Sequence, residues 1–102
     1  MNEIDVTMVR IYLTEAKGQL DPLVKRLHDW EKVRGVTVFR GISGFGKSGK
    51  MHSSALFDTG LDMPVIVEFF DEPDKVQAII EHLSTTIEPG HIVSWPARLV
   101  AE

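Results

Sequence analysis

Gly41-Ile42-Ser43-Gly44-Phe45-Gly46-Lys47-Ser48-Gly49-Lys50 satisfies two phosphate-binding patterns at once, and each would imply a different fold. Gly41 to Ser48 fits G-x-x-x-x-G-K-S, and Gly44, Gly46 and Gly49 fit G-x-G-x-x-G. Downstream, Phe69-Phe70-Asp71-Glu72 even resembles the acidic strand end that accompanies the first pattern. Both patterns work only where a strand enters the loop and a helix leaves it, with the helix N-terminus facing the phosphates. The residues that follow here, Met51 to Gly60, carry no helical apolar stripe. A nucleotide-hydrolysing or dinucleotide-binding domain also needs several parallel strands, and 102 residues are too few for them. What survives is the shared physics. Closely spaced glycines let backbone N–H groups approach an anion, and Lys47 and Lys50 place positive charge beside them. The plain alternative is a solvated loop whose glycines permit turns and whose lysines face water.

Working outward from this loop, Val36 to Ile42 reads as a strand entering it, and residues 48–62 read as a long loop leaving it. Upstream, Val6 to Thr14 is a strand with a nearly apolar face (Thr7, Val9, Ile11, Leu13) and a mixed one (Met8, Arg10, Tyr12). Asp21 as cap, Pro22 at the first position and Gly35 at the end delimit a first helix. Its apolar stripe is Leu23, Val24, Leu27, Trp30 and Val33. Downstream, Pro64 to Phe70 is a third strand. Glu72-Pro73-Asp74 opens a second helix burying Val76, Ile79, Ile80 and Leu83. Glu88-Pro89-Gly90 then turns into a last strand, His91 to Val100, which Pro96 confines to a sheet edge.

The order βαββαβ is that of an α+β, ferredoxin-like domain occupying residues 1–102 as one unit. Right-handed crossovers put both helices on one face of a four-stranded antiparallel sheet and leave the other face open. That face would carry Met8, Tyr12, part of Val36 to Ile42, and either Phe69 or Phe70. This is more apolar area than a monomer comfortably exposes, so self-association is expected. Arg10 and Glu68 fall in the two central strands, where they are expected to pair.

Composition excludes several classes. An apolar fraction of 43% and a charged fraction of 25% are those of a globular domain. The net charge of -4 argues against a nucleic-acid partner. No cysteine is present, so no disulfide or thiolate metal site is expected. The four histidines, His28, His52, His82 and His91, show no metal-ligand spacing. No apolar run reaches the ~20 residues of a membrane span, and the N-terminus lacks a leader pattern. A cytoplasmic location is expected by elimination.

The segment Gly41 to Gly46, the loop after it, Met63-Pro64-Val65-Ile66-Val67-Glu68-Phe69-Phe70-Asp71 and the second helix together resemble the PII-like proteins of the domain of unknown function 190 family. The resemblance covers almost the whole chain, and Gly44-Phe45-Gly46 leading into a basic loop is its most specific element. It implies a PII-like homotrimer that binds an adenine nucleotide in clefts between subunits. It also implies that a loop, here about 47–62, reports the ligand to a membrane transporter or soluble protein. By position, Gly44, Phe45, Gly46 and Lys47 match the stretch that borders the phosphates, with Gly41 and Gly49 flanking it and Lys50 and His52 near the loop base. Gly90 and His91 occupy the place of the PII phosphate loop, and Arg98 that of a basic C-terminal residue. The loop is shorter than its PII counterpart and has no tyrosine, so uridylylation of the usual kind is not expected.

A regulator of this kind has no catalytic residues, no metal and no resident cofactor. Two other readings compete with it. One is a ligand-independent trimeric interaction module. The other, with least support, is a small ferredoxin-like enzyme, for which no acid and base pair can be read.

Overall fold

In a computed structural model, residues 1–15, 18–45, 51–53 and 63–101 are described, the segment 51–53 by its backbone alone. Strand β1 (Glu3–Thr14) leads to helix α1 (Leu20–Asp29) and strand β2 (Val36–Arg40). Two short strands, β3 (Ser43–Phe45) and β4 (Met51–Ser53), precede β5 (Pro64–Asp71), helix α2 (Pro73–Leu83) and β6 (Ile92–Val100). The main sheet is antiparallel in the order β2-β5-β1-β6, the arrangement expected of a ferredoxin-like βαββαβ chain.

Register assigns the faces. Val9 opposes Phe69, Ile11 opposes Val67 and Leu13 opposes Val65, and all six are buried. Leu23 and Leu27 of α1 pack on this layer with Val76, Ile79 and Leu83 of α2, and Ile87 closes it. Phe69 therefore belongs to the core. Phe70, opposite Met8, belongs to the other face.

Several boundaries differ from those expected, each for a physical reason. Helix α1 starts at Leu20 after Gln19, so Asp21 and Pro22 sit within its first turn and Asp21 makes no cap. The helix also ends early. Lys32, at φ +53°, takes the left-handed conformation expected of Gly35, and the Val33 amide donates back to the Leu27 carbonyl. Trp30 thus falls past the last turn and stands 77% exposed, whereas the periodic pattern puts it in the core. Strand β2 stops at Arg40 because Pro64 faces Gly41. The Gly41 amide donates to the Pro64 carbonyl at 2.8 Å, but proline has no N–H to return the bond. Part of the segment read as a loop is a strand, since Met51–Ser53 pairs with Ser43–Phe45.

Pro96 lies on an edge strand, as its chemistry requires. The Tyr12 amide donates to the His91 carbonyl, and the Ala101 amide to the Asn2 carbonyl. Bonded pairs alternate along an antiparallel ladder, so even-numbered β1 residues bond to β6 and odd-numbered ones do not. Pro96 opposes Thr7, a non-bonded position, and removes no bond from the β1–β6 ladder.

Asp71 is the one charged side chain among the described residues that is fully buried, at 3% exposure. Its carboxylate accepts from the amides of Arg34 (3.2 Å) and Glu72 (2.8 Å) and pairs with Lys75 Nζ at 3.1 Å. Lys75 also donates to the Lys32 carbonyl at 2.8 Å. Asp71 and Lys75 together tie the turn between α1 and β2 to the junction between β5 and α2. Removing the carboxylate leaves two part-buried amides without their acceptor and takes from Lys75 its ion-pair partner. Asp71→Ala is expected to cost about 2–4 kcal/mol, and Asp71→Asn, which keeps an acceptor oxygen, clearly less. Urea unfolding of the two variants beside the parent protein measures both.

Candidate functional site

Among the described candidate residues, Gly41, Gly44, Gly90 and His91 lie at one end of the main sheet. Gly41 follows β2 there, Pro64 begins β5, Thr14 ends β1, and His91 precedes β6. Gly41 packs so closely on Pro64 that an added Cβ would lie 2.6 Å from the ring Cγ. Only glycine fits without movement, which gives this residue a structural reason whatever it binds. Gly44 is different. A Cβ there would sit 3.5 Å from the same ring, an ordinary contact, so packing alone does not demand glycine. Beyond it, Phe45 is exposed at the end of β3. Gly44 and His52 are partners across the β3–β4 ribbon. Gly46, Lys47, Gly49, Lys50 and the His52 side chain lie outside the described residues, as does most of the loop 47–62.

On the opposite edge, Gly90 takes φ +95°, a conformation that favours glycine, and turns the chain into β6. His91 is held by Nδ1, 2.9 Å from the Tyr12 carbonyl. A carbonyl only accepts, so Nδ1 carries the proton and Nε2 is the ring atom left for another partner. Glu88, Pro89 and Gly90 line a groove of about 280 Å³ against Ile80 and Ile87.

These two segments share an end of the sheet but not an edge. Between β2 and β6 lie three strand spacings, about 14 Å, so within one chain one small anion cannot touch both. Arg98 stands further apart. It opposes Asp5 and pairs with Glu3 at 3.6 Å, seven residues from His91 along the strand, or about 24 Å. A single copy does not bring Arg98 to Gly44.

The open face carries a third arrangement. Arg10 Nε donates to Glu68 Oε2 at 2.7 Å, the expected central pair. The guanidinium also lies 5.7 Å from the Phe39 ring centre and 5.9 Å from that of Trp95. Its bond to Glu68 holds the Arg10 pKa above its ordinary value, and a guanidinium is charged in any case. Around it Tyr12, Phe39, Val93 and Trp95 are exposed, an apolar patch with a satisfied charge pair at its centre.

One cluster had no sequence signal. Glu31 accepts from Arg26 Nε at 3.0 Å and lies 3.2 Å from His82 Nδ1, linking the end of α1 to α2. The separation of five residues between Arg26 and Glu31 is not a helical pair spacing, and the contact to His82 requires knowing how the helices pack.

Comparison with known proteins agrees with this architecture. The family model of the domain of unknown function 190, described as Uncharacterized ACR, matches residues 6–99. A UPF0166 protein of Aquifex aeolicus (strain VF5) is 32% identical over 87 residues, covering 81% of this chain and 83% of its own. The structure of CPII, a nitrogen regulatory PII-like protein from Thiomonas intermedia K12 bound to ADP, AMP and bicarbonate, matches at a TM-score of 0.68 with 19% identity. It covers 96% of this chain and 89% of CPII. The divalent ion tolerance protein CutA1 from Ehrlichia chaffeensis matches at 0.60 with 8% identity, over 95% of this chain and 83% of that one. At these identities the two structures speak for the fold. With the family match spanning nearly all of a βαββαβ chain, this protein belongs to the domain of unknown function 190 family and has a PII-like fold.

Proposed function

We propose that this chain is a PII-like regulatory protein whose copies associate as a homotrimer through the open sheet face and bind an adenine nucleotide in the clefts between them. The observation that carries the reading is the placement of the two candidate segments. Gly41–Phe45 and Gly90–His91 occupy the same end of the sheet on opposite edges. A neighbouring copy set edge to edge would bring one segment of each together, while Arg98, about 24 Å along β6 from His91, would lie outside that cleft. Backbone amides around Gly44, the Lys47 and Lys50 ammonium groups and the His91 ring would then face the phosphates. The binding of ADP and AMP by CPII supports the choice of ligand. Signalling would follow if the nucleotide favoured one conformation of the segment 47–62 over others, and a transporter or soluble target read the difference. The reading is regulatory rather than catalytic. Near His82, the hydroxyls of Ser84, Thr85 and Thr86 donate to backbone carbonyls at the end of α2, and none is paired with a base.

Calorimetric titration with ADP, ATP and AMP tests the ligand. Saturable binding near one nucleotide per chain is expected, weakened roughly tenfold or more by Lys47→Ala. No heat from any of them on a folded oligomer would leave a ligand-independent interaction module as the better account. The glycines separate packing from binding. Gly41→Ala is expected to lower the melting temperature by several degrees with its clash against Pro64, an overpacking cost of about 1–3 kcal/mol. Gly44→Ala should leave melting unchanged and weaken the nucleotide. Trp95→Glu, placing a charge in the open face, is expected to reduce the mass in light scattering from three times 11.4 kDa to a single chain. A parent protein that scatters as a monomer would remove the trimer from the proposal.

A further inference from the structure

The helical side of the molecule holds an open groove of about 440 Å³ between α1 and the C-terminal end of α2, on the covered side of the main sheet and away from its open face. Its floor is the upper surface of the core, where Leu23, Leu83 and Ile87 are buried. Its rim carries Lys25, Arg26, Trp30 and His82. Among the described residues no carboxylate lines it, although the chain has 15 acidic residues against 11 lysines and arginines. Glu31, behind the rim, offsets Arg26, so the surplus positive charge is that of Lys25, and a net positive rim on an acidic protein favours acidic partners.

Two further features set this rim apart from ordinary surface. Trp30 exposes most of its indole because α1 stops one residue before it, leaving the ring beside the groove instead of in the core. Tryptophan and arginine are the residues that most often anchor protein interfaces. The rim is also fixed in advance. Glu31, set behind it, holds Arg26 at 3.0 Å and His82 at 3.2 Å. Arg26 uses Nε for this bond, which leaves its terminal amino groups to face a ligand. Lys25 makes no ion pair among the described residues. Side chains already immobilised lose little entropy when a partner arrives.

We propose that this groove docks a short acidic segment of a partner protein, with an apolar side chain laid against Trp30 and Leu23 and a carboxylate held by Lys25 and Arg26. A peptide suits the shape better than a small metabolite. Small ligands are usually enclosed over most of their surface, whereas this groove lies open between two helices. An acidic segment can instead place alternate side chains in it and leave the rest in water. The proposal is independent of the nucleotide reading: Ile87 borders both this groove and the one beside Gly90, but Lys25, Arg26 and Trp30 line this one alone.

The test is an NMR titration of the isotope-labelled protein with a short synthetic peptide of alternating glutamate and leucine. A lysine–leucine peptide and free benzoate serve as the other arms. The acidic peptide is expected to shift the Trp30 indole N–H and the amides of Lys25, Arg26 and His82. Trp30→Ala and Lys25→Glu should each weaken it roughly tenfold, while leaving ADP binding unchanged. Both positions are exposed, so the variants fold. Equal response to the basic peptide, shifts confined to other surfaces, no shift at millimolar peptide, or affinity unaltered in both variants would each overturn the proposal. Benzoate binding as tightly as the peptide would overturn it in favour of a small aromatic acid.

Discussion

One layer of helices covers one face of the main sheet, and nothing in the described chain covers the other. Much of the structure follows from that asymmetry. On the covered side, β-branched and aromatic residues of β1 and β5 meet the leucines and isoleucines of two helices, and the core is closed. On the other side the same strands present Met8, Tyr12 and Phe70, and β6 adds Trp95, with Arg10 and Glu68 at the centre. A lone charge there would resist being covered, because its desolvation would be uncompensated. Joined to each other, and flanked by the rings of Phe39 and Trp95, the two charges form a nearly neutral unit. The face is therefore prepared to leave water, and the two edges β2 and β6 are left to define what lies between one copy and the next.

The helical layer needs its own fastening, and Asp71 supplies it. A buried carboxylate is tolerable only when its lone pairs are all used. Here the amides of Arg34 and Glu72 and the Lys75 ammonium use them, the first from the turn before β2 and the other two from the start of α2. The loop leaving α1 and the start of α2 are thereby held at one point. This fixes where α1 ends, and so indirectly where Trp30 stands.

How much of this could be read from the residues depended on whether the signal was periodic. Alternation in Val6 to Thr14 separated the faces of β1 correctly, and the pairing of Arg10 with Glu68 followed from strand order alone. Phe69 and Phe70 could not be told apart, since assigning them to faces needs the register with β1. Asp21-Pro22 reads as a helix start two residues later than the observed one. The actual start at Leu20 has no side-chain cap to announce it. The β3–β4 ribbon was invisible because three-residue strands show no usable alternation. At the site, the glycines were legible as a class, yet only packing distinguishes Gly41, pressed on Pro64, from Gly44, which has room. That Arg98 lies far from both is a matter of register, which local sequence does not encode.

Pro96 has an effect beyond sparing the ladder. Its nitrogen faces away from β1, toward the free edge, where Ile92, Ser94, Arg98 and Val100 direct their amides outward. The row of donors along that edge is thus broken in the middle. A foreign strand can bond on either side of the gap but cannot run unbroken along the whole of β6. Indefinite edge-to-edge stacking, the first step toward fibrous aggregates, is obstructed there by a residue that costs the native sheet no bond.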